Sequence, residues 1–563
     1  MKLVYLYIEK HKVLEKIDAT FSSEHQVQFD GRNLNIIKCK SNFDYYNGIQ
    51  TTAIIGKNGT GKSTLLDFIE SSYSNTESES SGFSIWLSDN EYYICPINYD
   101  FDSIVVKSNS LFKINIDYRK LLNNKKVRLV KANNLSGAES NTITRRTRKN
   151  IFSYDLSIAR YNSRSSSNLA KKITRLMSFF IESSWVNNTK NLKVEFEFEF
   201  KSSSATYLKS ILKKREFIER INLDPEYLDF LHNLQRIEPL CIFDLIFEPT
   251  TSLFLEIIKK NILSILRYAT KYSGFNGSFQ DYLYIKLLII FYKEGYGGIN
   301  SNIILDILEE SEFYKKSYRS SSIIQTDSFM VYKRFSDAIE VILRISDIII
   351  SNKNNIKYKG INKFTTLNPN FIINLMSVIS KLPGNLVSNF HYGWRGFSTG
   401  EFAKLNILSE LYYFINDEKR TDGENYIIVM DEVDLYLHPD WQREFLNDTL
   451  AFLKNEYPSN KVQLIISSHS PIIIGDFLPD DIISLHREDG GLPKIEESYG
   501  FGIPILQLYM EGMHLNSTFG SHSKKYIDKI INHKMENNLS ELDKFLISKI
   551  KNKNIREMLG ENE

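Results

Sequence analysis

Residues 56–64 read Gly-Lys-Asn-Gly-Thr-Gly-Lys-Ser-Thr, a complete phosphate-binding loop, and nothing else in the chain restricts the fold so strongly. Gly56, Gly61, Lys62 and Ser63 occupy every fixed position of G-x-x-x-x-G-K-[ST]. Such a loop needs a strand before it and a helix after it, because successive backbone N–H groups must converge on phosphate oxygens at a helix N-terminus. Both flanks meet that need. Thr52-Ala53-Ile54-Ile55 is an apolar, β-prone run, and Leu65-Leu66-Asp67-Phe68-Ile69 continues as an apolar helix. In that frame Gly56, Lys57, Asn58, Gly59, Thr60, Gly61, Lys62, Ser63 and Thr64 are expected to wrap the phosphates of ATP. Lys62 would reach the β- and γ-phosphates, and the Ser63 hydroxyl would ligate Mg²⁺.

The second half of the chain supplies matching parts. Tyr426-Ile427-Ile428-Val429-Met430 is an apolar run that ends in Asp431-Glu432. A buried strand with two carboxylates at its C-terminal end would bring Asp431 to Mg²⁺ and Glu432 to an attacking water. Upstream, Gly396-Phe397-Ser398-Thr399-Gly400-Glu401 opens an amphipathic helix. Its first turn is either an anion site or an ordinary N-cap, with Ser398 or Thr399 followed by Glu401. Downstream, Val462-Gln463-Leu464-Ile465-Ile466 ends in Ser467-Ser468-His469-Ser470-Pro471. There His469 is either a contact for γ-phosphate or the attacking water, or a satisfied core histidine.

Taken in order, these four elements resemble the ATP-binding-cassette ATPases in their wider sense, including the SMC, RecF and double-strand-break-repair heads. Asp431-Glu432-Val433-Asp434-Leu435-Tyr436-Leu437-His438-Pro439, followed by Trp441-Gln442, narrows the resemblance to bacterial defence ATPases. Ser468-His469-Ser470-Pro471 and the late Asn516-Ser517-Thr518-Phe519-Gly520 do the same. That group includes the OLD ATPases and the ATPase subunits of Septu anti-phage systems. The resemblance covers residues 1–72 and 391–520, and almost none of the middle. It implies an α/β P-loop ATPase head of the ABC type, with an antiparallel β layer and a large α-helical insertion. It also implies ATP hydrolysis with Mg²⁺ in a homodimer or higher homo-oligomer, two chains enclosing two ATP molecules. Ser398 and Gly400 of one chain would face the γ-phosphate held by Lys62 of the other. Glu432 would orient and deprotonate the water, His469 would contact the γ-phosphate, and Asp431 and Ser63 would hold Mg²⁺. A separate effector, a nuclease of the HNH type as in Septu, would do the cutting.

Three departures accompany the resemblance. Thr399 replaces the first glycine of the usual Ser-Gly-Gly signature. The gap from Ser398 to Asp431 is longer than the family's, through the polar stretch 416–425. No glutamine occurs between Gln50 and Gln235, where the family places one on Mg²⁺; Asn133 or Asn134 is the candidate substitute.

At 563 residues the chain has room for an ATPase core and an inserted domain. The expected division is 1–72 (N-lobe), 73–200 (β-rich, basic), 201–390 (helical insertion), 391–520 (C-lobe) and 521–563 (helical tail). Within the insertion, Tyr207–Ile221, Ser252–Tyr268, Asp281–Tyr292, Ser328–Ile350 and Phe371–Leu382 show helical period. They are too short for an SMC-type coiled coil. Lys193–Phe200 alternates charged and apolar residues as a half-buried strand does, and Ser71–Gly82 reads as a mobile surface loop. Cys39, Cys95 and Cys241 are far apart with no Cys-x-x-Cys pair, as expected of a cytoplasmic protein without a cysteine zinc site. No stretch is apolar enough to span a membrane.

The net charge of +2 neither favours nor excludes nucleic acid, but its distribution is uneven. Residues 141–175 carry Arg145, Arg146, Arg148, Lys149, Arg160, Arg164, Lys171, Lys172 and Arg175 against the single acid Asp155. This run is either a DNA- or RNA-backbone contact or a solvated loop balanced by acids such as Glu195, Glu197 and Glu199. Two further functions compete with effector gating: a RecF-like repair ATPase, and the energising subunit of a transporter.

Overall fold

The computed structural model describes residues 1–39, 44–71, 80–133, 153–156, 166–183, 195–201, 205–221, 223–237, 253–271, 277–294, 302–310, 321–360, 363–387, 389–396, 398–416, 423–488, 491–512, 517 and 519–559. At its centre lies a seven-stranded sheet. The strand order is Ser153–Asp155, Val127–Asn133, Asn425–Asp431, Val462–Ser467, Gln50–Gly56, Ile482–His486 and Lys494–Glu496. Every pair is parallel except the last.

Successive side chains of a strand face opposite ways, so this sheet feeds two cores. Ala53, Ile55, Ile428, Met430, Leu464 and Ile466 join one; Ile54, Ile427, Val429, Ile465 and Ile483 join the other. Burial on both faces explains why these strands read as unbroken apolar runs. The first core is shared with helices Ser166–Glu182, Thr399–Ile415 and Pro439–Glu456, through Phe179, Leu411 and Phe452 among others. The second is shared with helix Lys62–Ser71 and with a five-stranded sheet. That sheet runs Leu14–Thr20, Lys2–His11, Ser81–Ser88, Glu91–Ile97, Phe112–Ile114, antiparallel apart from its final pair. Its outer face packs Tyr5, Phe83, Ile85 and Tyr92 against a three-stranded sheet, His25–Phe29, Asn33–Lys38 and Val105–Ser108.

Glu195–Phe200 has the expected alternation. Phe196, Phe198 and Phe200 are buried, while Glu195 meets Lys359 at 2.7 Å and Glu197 meets Lys363 at 2.7 Å and Arg395 at 3.2 Å. Both acids thus pair with bases on strands of the same sheet. The strand belongs to a four-stranded sheet ordered Ile356–Gly360, Lys363–Thr366, Glu195–Phe200, Phe390–Arg395. Its first two strands interrupt a region whose sequence period reads as helical. They are five and four residues long and follow closely on the 31-residue helix Ser321–Ser351, so they show too little alternation to register. Helices described in this region include Thr206–Leu212, Arg215–Arg220, Pro225–Arg236, Leu253–Lys271, Gly277–Glu294, Ile303–Glu310 and Pro369–Ile379. The expected single helix from Tyr207 to Ile221 is thus two, broken at Lys213-Lys214. The tail forms three helices, Ser521–Met535, Glu541–Lys549 and Lys553–Leu559, around their own small core of Ile530, Ile547 and Leu559. Among the described residues no helix is long and apolar enough to cross a membrane.

Several sequence-based expectations fall on 72–79, 417–422, 516 and 518, which lie outside the described residues; so do Arg145, Arg146, Arg148, Lys149, Arg160 and Arg164. Of the basic run, Lys172 and Arg175 are structural. The Arg175 guanidinium reaches Glu410 at 2.7 Å and stacks 4.2 Å from the Tyr413 ring, and Lys172 lies over Phe402. Burial pushes the Lys172 ammonium below its ordinary pKa. Glu410 is only 2% exposed at its side chain, so removing Arg175 takes away its hydrogen-bonded cation while the charge stays buried. Arg175→Ala is expected to destabilise the protein by about 3–5 kcal/mol, seen as a lower urea midpoint, because loss of one partner of a buried pair costs more than the pair contributes.

Candidate active site

The phosphate loop leaves the carboxyl end of Gln50–Gly56 in a backbone path that needs glycine at two close approaches. Gly56 has φ +148°, and a Cβ there would lie 2.3 Å from the Leu485 carbonyl oxygen and 2.6 Å from Thr60 Oγ1. Gly61 has φ +100°, and its Cβ would lie 2.6 Å from Leu14 Cδ2. Thr60 closes the loop by donating to the Lys57 carbonyl through N–H (3.3 Å) and Oγ1 (2.8 Å). Leu65 N–H then donates to Gly61 O at 2.8 Å, starting the helix. The Lys62 side chain folds back over the loop, donating to the Gly56 and Lys57 carbonyls at 2.8 and 3.2 Å. Burial lowers its pKa, and Asp431, Glu432 and Asp434 pull it back up.

Strand order determines what faces this cradle. Val462–Ser467 lies between the phosphate-loop strand and Asn425–Asp431, so three carboxyl ends converge. Ser63 Oγ donates to Asp431 Oδ2 at 3.3 Å. Ser467 Oγ donates to Asp431 Oδ1 and accepts from the Glu432 N–H at 3.2 Å. Ser467 was not among the sequence candidates; its place at a strand end beside His469 was the available signal. Glu432 has φ +49°, a left-handed conformation uncommon for a residue with a side chain. Ser467 thus holds both the carboxylate of Asp431 and the strained backbone after it. One strand further out, Asn133 stands opposite Asp431 in register, while Asn134 lies outside the described residues.

His469 is half-buried beside this group. Burial and the Lys62 cation push its pKa below the ordinary histidine value, against the opposing pull of Asp434 and Asp431. The neutral imidazole is therefore the form at neutral pH.

Ser398 and Gly400 sit elsewhere. Ser398 caps helix Thr399–Ile415 in a capping box: its Oγ accepts from Glu401 N–H at 3.2 Å, and Glu401 Oε2 accepts from Ser398 N–H at 2.8 Å. The ordinary N-cap of the sequence reading is thus present. Gly400 is buried against the turn after Asp431, where a Cβ would lie 2.8 Å from Tyr436 O. Lys404, one turn on, is buried over the Trp441 ring at 4.7 Å and pairs with Asp448. Among the described residues, no hydrogen bond or ion pair joins Ser398 or Gly400 to the phosphate loop. Lys62, Ser63, Asp431, Glu432 and His469 form one group, and the signature turn forms another.

The first group suits a magnesium nucleotide. It offers a helix N-terminus, a buried ammonium, and a hydroxyl beside a carboxylate. No three His, Cys, Asp or Glu side chains among the described residues are grouped to hold a metal by themselves.

A phosphate cradle on a parallel sheet, with carboxylates at the neighbouring strand end, defines a P-loop ATPase. The chain belongs to the AAA ATPase domain family, which matches residues 1–474, and is an ATP-hydrolysing enzyme. It is similar to the Septu protein PtuA of Bacillus thuringiensis, 27% identical over 150 residues, which make up 25% of this chain and 35% of that one. It is also similar to the probable ATPase of retron Vc95 from Vibrio cholerae serotype O1 biovar El Tor, 28% identical over 96 residues, 16% of this chain and 18% of that one. The matches thus span about a third or less of these curated relatives. A solved structure of the recombination mediator protein RecF aligns with 88% of this chain and 97% of its own at 12% identity and a TM-score of 0.20, too loose to carry an argument.

Gly56→Ala is expected to weaken ATP binding by at least tenfold, about 1.4 kcal/mol, because the added methyl group forces the loop off Leu485 and Thr60. Titration with a fluorescent ATP analogue, with circular dichroism as the check on folding, measures it.

Proposed function

We propose that two copies of this chain close around two ATP molecules and so gate a separate effector, a nuclease of the HNH type, in bacterial anti-phage defence. The observation that carries this reading is the separation of the signature turn from the phosphate loop. Gly400 is held on the turn after Asp431, and among the described residues the exposed Ser398 cap makes hydrogen bonds to Glu401 and none to the phosphate loop. A second copy supplies one. In that arrangement the positive end of helix Thr399–Ile415 completes the partner's site, and the γ-phosphate charge becomes part of the interface.

In this reading the residues of the site divide the work. Residues 56–64 wrap the phosphates and Lys62 balances their charge. Ser63 and Asp431 hold Mg²⁺, which when bound neutralises charge developing on the phosphates. Glu432 orients and deprotonates the attacking water, and neutral His469 contacts the γ-phosphate. Hydrolysis removes the bridging charge and loosens the pair, making nucleotide state the switch. Segments 1–72, 73–200 and 391–520 supply the head in this reading, with 201–390 inserted and 521–563 as a tail. Similarity to a Septu protein and to a retron ATPase supports the defence setting. Backbone contact with DNA or RNA falls to Arg145, Arg146, Arg148 and Lys149.

Glu432→Gln is expected to lower turnover by about 10²–10⁴-fold, the usual contribution of a general base, while the ATP-bound dimer becomes stable on a sizing column. Turnover at the parent rate would overturn the assignment. Purified from its native host with Mg-ATP, that variant is expected to carry a stoichiometric nuclease; a bare dimer retaining only nucleic acid would point to a RecF-like role instead. Replacing Arg145, Arg146 and Arg148 together by Ala is expected to weaken nucleic-acid binding and flatten its salt dependence by about three counterions' worth. Unchanged binding at low salt would remove that contact.

A further inference from the structure

The turn between Asp431 and the helix Pro439–Glu456 is unusual in needing two left-handed residues with side chains, Glu432 at φ +49° and Tyr436 at φ +71°. A backbone of that kind persists only where its surroundings over-determine it. Part of the restraint is local: Leu435 N–H donates to Glu432 O at 3.1 Å, and Leu437 N–H to Asp434 O at 3.0 Å. The rest comes from the neighbouring strand end. Val433 N–H donates to Ser467 O at 3.3 Å. Asp434 Oδ1 then accepts twice, from Ser468 Oγ at 2.7 Å and from the His469 N–H at 3.1 Å. A second brace follows one turn on, where Gln442 accepts from Ser470 Oγ at 2.5 Å and donates to Leu437 O at 2.9 Å.

We propose that Asp434 is a positioning residue for hydrolysis, its one carboxylate oxygen fixing the main chain of the His469 turn against the turn that carries Glu432. Asp434 touches neither Ser63 nor Asp431 by hydrogen bond, so it acts through the two groups it ties together. The same turn presents the Tyr436 carbonyl to Gly400, so the clamp also sets the height of the signature helix relative to His469. A hydrogen-bond acceptor is what the tie itself needs; the Asp434 charge acts separately, on Lys62 and the His469 ring. The inference rests on the roles given above to Glu432 and His469.

The test compares Asp434→Ala, Asp434→Asn and Ser468→Ala with Glu432→Gln and His469→Ala, measuring kcat for ATP, the Kd of a fluorescent ATP analogue and the thermal midpoint. Asp434→Ala is expected to lower kcat by roughly tenfold to a hundredfold, the effect of displacing a reacting group by about an ångström. Its Kd should stay within twofold, because the phosphate loop is untouched. Asp434→Asn keeps an acceptor for both donors and is expected to recover most of the rate. Ser468→Ala, which removes one donor, should fall between. A merely structural Asp434 would lower the midpoint and scale kcat and binding together, and that result overturns the proposal. So does an Asn variant as slow as the Ala variant, or an Ala variant at the parent rate. Should Glu432→Gln and His469→Ala both turn over normally, the failure lies in the reading of the site; should they be inactive while Asp434→Ala is not, it lies in the clamp alone.

Discussion

Burial of the parallel sheet on both faces is the constraint from which the rest follows. With Ile54, Ile427, Val429 and Ile465 committed to one core and Ile55, Ile428, Met430 and Ile466 to the other, the polar side chains the strands do carry there, such as Thr51, Thr52 and Gln463, are buried and used in hydrogen bonds to the backbone. Desolvating an unpaired polar side chain there would cost several kcal/mol. The chemistry is therefore confined to the strand ends, where Gly56, Asn133, Asp431 and Ser467 emerge side by side. The antiparallel layers and the helices exist to close those faces, and in doing so they aim the phosphate loop and the Asp-Glu pair at one another.

At those ends the backbone does much of the positioning. Gly56 and Gly61 let the loop pass within contact of Leu485, Thr60 and Leu14, where any side chain would collide. Glu432 adopts a left-handed conformation without being glycine, and Ser467 stabilises that choice by accepting its N–H while donating to Asp431. A single hydroxyl thus links the orientation of a Mg²⁺-side carboxylate to that of its neighbour. Asp434 continues the arrangement toward Ser468 and His469. The result is a small hydrogen-bonded network that ties the Asp431-Glu432 turn to the Ser467–His469 strand end.

The helical region is joined to the head by packing. One continuous core runs from Ile428 and Leu464 through Phe179 and Leu411 to Ile258, Leu287 and Ile345. The sheet formed by Glu195–Phe200 with Lys363–Thr366 and Phe390–Arg395 ties both ends of the insertion together. A change in the signature helix, braced by Lys404 on Trp441 and by Arg175 on Glu410, would thus be felt across the insertion. The tail, with its separate core of Ile530, Ile547 and Leu559, stands apart from this continuity.

The parts of this protein that are contiguous in the chain were legible from residues alone. The phosphate loop and its strand and helix depend on local rules: glycine where φ is positive, apolar runs where both faces are buried, a capping residue where a helix begins. The same holds for the Asp431-Glu432 strand end, the Ser398 cap with Glu401 and the alternating Glu195–Phe200 strand. What the residues could not reveal is the order of the strands. Only that order puts Val462–Ser467 between Gln50–Gly56 and Asn425–Asp431, and with it Ser467 between the phosphate loop and the Asp431-Glu432 strand end. The short strands Ile356–Gly360 and Lys363–Thr366 were likewise invisible: they form a hairpin too short to show alternation, and it joins the sheet through the pairing of Lys363–Thr366 with the distant Glu195–Phe200. So were the commitment of Arg175 to Glu410 and the clamp of Asp434 on the His469 turn, at sequence separations of 235 and 34–35 residues. Local propensity specifies elements; which polar groups meet is decided by long-range pairing, and that is a property of the folded chain.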